Sequence, residues 1–159
     1  MGSQSKIDLA YIAGFLDGDG SLMLQIKRRK DGTKKFRFMS TICFYQDSNH
    51  EEFLHWIKNI LGIGYLTQRD DGMSELRING FKQVKDIIKN LLPFIKFKKN
   101  QANAIYEATS MMSSKILSRL TKQELLKIVD LMLIIQKHNY KSRSKKTKKE
   151  LIQLLDLTP

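Results

Sequence analysis

The chain has 159 residues, 42% of them hydrophobic, enough for one domain with its own core and too few for two. Its 28 Lys and Arg outnumber 16 Asp and Glu, and the resulting +12 charge points to a polyanionic partner. Nucleic acid comes before a membrane surface, because no basic amphipathic anchor separates from the rest and no apolar run approaches a bilayer span. The single cysteine, Cys43, excludes an intrachain disulfide and a thiolate zinc site.

Residues 1–5 read as a cloning scar or N-terminal tail, and residues 6–159 as one domain with a C-terminal helical region over 113–159. Ser5-Lys6-Ile7-Asp8 is similar to a capping box with Asp in place of Glu, and it predicts a helix from there to Gly18. Within it, Ala10, Gly14 and Gly18 recur every fourth residue and make a nearly side-chain-free line. A helix-interior Gly costs about 1 kcal/mol against Ala, so the line needs a reason. It lets another backbone approach closely, either from within the fold or from a second chain. Asp19 then falls at the helix C-terminal end, where the dipole disfavours negative charge and a cation is the natural compensation.

The segment Ile12-Ala13-Gly14-Phe15-Leu16-Asp17-Gly18-Asp19-Gly20 resembles the LAGLIDADG motif of homing endonucleases, with Ile12 and Phe15 for Leu, Leu16 for Ile and Gly18 for Ala. The resemblance implies that two motif helices pack together through Ala10, Gly14 and Gly18. It also implies that Asp19 binds the catalytic divalent metal, with the Gly18 carbonyl as a second ligand, and that Asp17 is structural. The motif occurs once, and cutting both strands of DNA needs two metal-bearing acids. The expectation is therefore a homodimer with a long, pseudo-palindromic double-stranded DNA target.

After Gly20 the hydrophobic period changes from helical to alternating. Residues 21–29 and 36–45 read as strands around a turn at 30–33, with Leu22, Leu24, Ile26, Phe38, Ile42 and Phe44 inward. A helix over 49–61, strands over 65–69 and 74–79, and a helix over 81–91 repeat the pattern. The predicted fold is α+β: an antiparallel four-stranded saddle with helices on one face, ordered αββαββα, followed by C-terminal helices. Its outward residues are Gln25, Lys27, Arg29, Arg37, Thr67, Arg69, Glu75 and Arg77. A solvated face has no reason to be so one-sided in charge, whereas a basic concave sheet can lie along a DNA major groove.

Helices are predicted over 94–112, 121–139 and 149–157, the second opened by a Thr-Lys-Gln-Glu capping box. Before the last one, residues 141–149 carry six positive charges, including Lys141 and Arg143, which could clamp phosphates. The segment from Pro93 to Asn103 looks like the family's stretch bearing the active-site lysine, which places Lys98 in that role. Gln46 matches the family glutamine near the attacking water, and His50 falls where relatives can carry a basic residue.

The resemblance implies metal-dependent phosphodiester hydrolysis across the minor groove, leaving 3′ overhangs and initiating intron movement. Mg²⁺ is the expected ion, with Mn²⁺ substituting and Ca²⁺ supporting binding without efficient cleavage. The same fold also serves as an RNA splicing maturase or a non-cleaving DNA-binding module. Retention of Asp19, Gln46 and Lys98 together favours the enzyme. The expected setting is intracellular, an intron-encoded product of an organelle (chloroplast or mitochondrion) or of the bacterial cytoplasm.

Overall fold

Ser5 opens the first helix, α1, Lys6–Asp19: its Oγ accepts the Asp8 N–H at 3.0 Å. The Asp8 carboxylate accepts from the Ser5 hydroxyl at 2.6 Å, not from the Ser5 N–H, so only half of the expected capping box forms. The computed structural model describes residues 4–30, 36–139 and 145–155. The expected turn at 31–33, Lys141 and Arg143 lie outside the described residues.

Strands β1, Gly20–Arg28, and β2, Phe36–Asp47, pair antiparallel. Helix α2, Glu52–Leu61, leads to β3, Tyr65–Gln68, and β4, Met73–Asn79. The sheet order is β1-β2-β4-β3, all antiparallel. Helices α3, Phe81–Leu91, α4, Lys99–Ser114, α5, Lys122–His138, and α6, Lys148–Leu154, complete the chain. No helix of the described residues is long and apolar enough to cross a membrane.

Strand alternation decides which side chains enter the core. Leu22, Leu24, Phe38, Ile42, Phe44, Leu76 and Ile78 all sit at even positions, and all are buried with Ile12 and Leu16 of α1, Leu54 and Ile57 of α2, and Val84 and Ile88 of α3. Odd positions therefore share the opposite face, and the register aligns Lys27 with Arg37, Cys43 with Arg77 and Tyr45 with Glu75.

Several element boundaries differ from the sequence expectation, four of them at site residues or their supports. Residues 49–51 do not join α2, because the Asp47 carboxylate accepts the Asn49 N–H at 2.8 Å and folds 48–50 into a tight 3-10 turn. Arg29 and Arg69 fall just past the ends of β1 and β3. Residues 94–98 are not helical: α4 begins only at Lys99, because the N–H groups of Lys96, Phe97 and Lys98 are taken by the Asp17 carboxylate.

Candidate active site

The end of α1 and the turn before α4 are built as one unit. Asp17 Oδ2 accepts from Lys96 N–H at 2.7 Å and Phe97 N–H at 3.0 Å, while Oδ1 accepts from Lys98 N–H at 2.9 Å. Partial burial works against the Asp17 carboxylate, but the three backbone donors outweigh it and hold the group below the usual carboxylate range. In return, Lys98 Nζ donates to the Asp17 carbonyl and sits 5.4 Å from the centre of the Phe97 ring. Lys98 is only 7% exposed. Burial pulls its ammonium below the ordinary lysine range, and the negative charges of Asp17 and Asp19 offset part of that shift.

Asp19, the last residue of α1, is exposed beside this unit, as is Gly18. Gly20 follows for a steric reason. A Cβ there would lie 2.8 Å from Leu16 Cα and 2.9 Å from Leu16 O, so only glycine lets β1 leave the helix so closely. Gly14 and Gly18 are the opposite case, since an added Cβ would meet nothing within 4 Å among the described residues. Among the described residues nothing packs against the glycine line at these two positions. Ala10, Gly14 and Gly18 are exposed, and flanking them Ile7 is 82% and Tyr11 60% exposed. Tyr11 is held edge-on against Phe53 and Trp56 of α2, at 5.6 and 5.8 Å between ring centres. The helix thus presents a smooth apolar strip with a firm aromatic border.

The other expected residues distribute unevenly. Gln25, Lys27, Arg37, Thr67, Glu75 and Arg77 do share the odd-numbered sheet face. Arg77 is not free on it, because Nη2 donates to Glu75 Oε1 at 3.0 Å. Arg69, beyond its strand, pairs with Asp71 at 2.7 Å. Gln46 has the parity of the core side, near the strand end, and its Oε1 accepts the Asp47 N–H at 2.8 Å. His50 is exposed at the end of the tight turn.

The structure adds groups that the sequence did not single out. On the same face Tyr45 OH meets Ser21 Oγ at 3.0 Å, and burial pushes its phenol up to about 12. Burial likewise raises the Cys43 thiol. At neutral pH neither is an anionic nucleophile or base. A groove of about 570 Å³ runs from Gly18 and Lys98 along the free edge of β1, lined by Gln25, Lys27, His138, Asn139 and Lys146. Asn139 Nδ2 donates to the Leu22 carbonyl at 3.0 Å and closes part of that edge. Among the described lining residues none is acidic. Of the basic run, Lys148 is engaged with Asp130 at 2.7 Å, whereas Lys146 faces the groove.

No set of three or more His, Cys, Asp or Glu among the described residues can hold a metal alone. The exposed Asp19 carboxylate and the Gly18 carbonyl are hard oxygen donors of the kind Mg²⁺ and Ca²⁺ take. They fill only part of a shell of about six ligands, so they fit a divalent ion if a second copy and a phosphate supply the remainder.

The saddle with an acid-tipped motif helix defines the homing-endonuclease α+β fold. The sequence profile described as LAGLIDADG endonuclease matches residues 12–106, well over half of the chain, and the chain belongs to that family. It is 31% identical over 102 residues to the DNA endonuclease I-CvuI of Chlorella vulgaris, a match covering 64% of this chain and 63% of that protein. To the DNA endonuclease I-CreI of Chlamydomonas reinhardtii it is 31% identical over 110 residues, 69% of this chain and 67% of the other. The fold superposes on the crystal structure of I-CvuI with its target and calcium at a TM-score of 0.84, with 23% identity over 96% of this chain and 94% of that one. A complex of I-CvuI with the I-CreI target in magnesium, in which the DNA is not cleaved, gives 0.78 at 22% identity over the same shares. Divalent ions thus accompany relatives of the same fold.

Proposed function

We propose that this protein is a site-specific double-strand DNA endonuclease that acts as a homodimer through α1. One observation carries the reading: Asp19 stands exposed at the end of a helix whose glycine line is open to solvent, with the Lys98 ammonium anchored on that helix two residues earlier. Pairing two such lines about a two-fold axis brings the two Asp19 carboxylates together and sets the two saddles end to end.

In that dimer Asp19 and the Gly18 carbonyl would hold Mg²⁺, with Mn²⁺ as a substitute and Ca²⁺ supporting binding alone. The ion, when bound, supplies positive charge that activates a water and offsets the charge on the leaving oxygen. Lys98 presents a fixed ammonium to the negative charge that develops on the phosphate. Gln46 has its carbonyl oxygen occupied, which leaves its amide N–H groups to orient the attacking water. Arg37 is the saddle arginine available for direct bidentate readout of guanine, while Arg69 and Arg77 must first exchange Asp71 and Glu75 for a base. An intron-encoded origin in an organelle or the bacterial cytoplasm goes with this activity.

Passing a randomised duplex library over the protein in calcium tests the reading. Enrichment of one long sequence with two-fold related halves is expected, and a selected pool with no shared sequence, or with a single site lacking two-fold symmetry, would overturn it. Lys146 supplies a second check. Lys146→Gln should lower the slope of log affinity against log salt by about 1, the loss of one phosphate contact, and leave the preferred sequence unchanged. An unaltered slope would place that groove off the DNA path.

A further inference from the structure

The Asp17 clamp does more than pack the motif helix. One carboxylate takes three consecutive backbone N–H groups, 79 to 81 residues away in sequence, and so fixes a turn that would otherwise continue α4 backwards. Lys98 is tied to Asp17 at both of its ends, through its N–H to the carboxylate and through Nζ to the carbonyl at 2.5 Å. Ile95, 1% exposed, pins the other end of the turn in the core, and the Phe97 ring shields the ammonium from one side. A long, rotamer-rich lysine normally loses side-chain entropy when fixed. Here the backbone that carries it is already immobilised on the residue two places before Asp19.

We propose that Asp17 is a positioning residue for the reaction. It holds the Lys98 ammonium at a set place relative to Asp19, so that the lysine and the acid of each subunit form one rigid constellation. This rests on the role given to Lys98 above. The chemistry recognises why Asp, and not Asn, stands there: a carboxylate accepts at both oxygens from three donors, whereas an amide would turn an –NH₂ donor toward at least one backbone N–H.

The test has two arms. In the metal-free protein, amide hydrogen exchange should show Lys96, Phe97 and Lys98 protected although they lie outside any helix, and Asp17→Asn should remove that protection. With a target in hand, single-turnover cleavage by Asp17→Asn should fall roughly 10²-fold, the cost of a misplacement of about 1 Å, while DNA affinity in calcium stays within about twofold. Lys98→Met should cost at least as much, and adding Asp17→Asn to it should cost little more. Additive losses in that cycle, or protection of the three amides that survives Asp17→Asn, would overturn the proposal. If Asp17→Asn does not fold, Asp17→Glu replaces it in both arms, since its longer carboxylate keeps the charge and moves the turn. The exchange arm requires no cleavage, so its result stands whether or not the nuclease reading holds.

Discussion

Asp19→Asn should bring cleavage of a bound target to background, a loss on the order of 10³-fold or more, while dimerisation and DNA binding survive. The substitution keeps the shape and one carbonyl oxygen and removes the charge that would hold the ion. Asp19 is exposed at the helix end, so its replacement leaves the buried core of Ile12, Leu16 and Phe44 untouched. A thermal melt and a binding isotherm in calcium, both unchanged, separate loss of chemistry from loss of fold. Normal cutting by Asp19→Asn would remove the acid from the mechanism.

Gly14→Leu should convert the protein to a well-folded monomer. Among the described residues nothing lies within 4 Å of a Cβ at Gly14, so a side chain there meets open space and the helix gains about 1 kcal/mol of propensity. Across a two-fold axis the same leucine enters the line twice. Overpacking of about 1–3 kcal/mol at each copy would weaken the dimer roughly 10²-fold or more. Sedimentation at micromolar protein reads the difference. A variant that stays dimeric at the unmutated strength would move the interface away from α1.

Much of this arrangement was legible in the sequence because its causes are local. The alternation of Leu22, Leu24 and Ile26 against Gln25 and Lys27 follows from strand geometry, and the structure keeps that division. Thr121 and Glu124 form the capping box their spacing announces. The misreadings come from long-range partners. Residues 94–98 have a helical pattern, yet a carboxylate on α1 captures their N–H groups. Asp17 is structural, as the resemblance implies, but nothing near it in sequence reveals its three donors some 80 residues on. Arg69 and Arg77 are a local case: each pairs with an acid two residues away, Asp71 and Glu75, and spacing alone does not decide whether such neighbours meet. Exposure of the glycine line is likewise a tertiary fact. The every-fourth spacing announces a close approach and leaves the partner open.

The most direct measurement incubates the protein in magnesium with the duplex it selects and maps both strands of the product. Two cuts related by the two-fold axis, offset across the minor groove to leave 3′ overhangs, are expected, and none with Asp19→Asn. A protein that binds that duplex specifically and never nicks either strand in magnesium or manganese would contradict it.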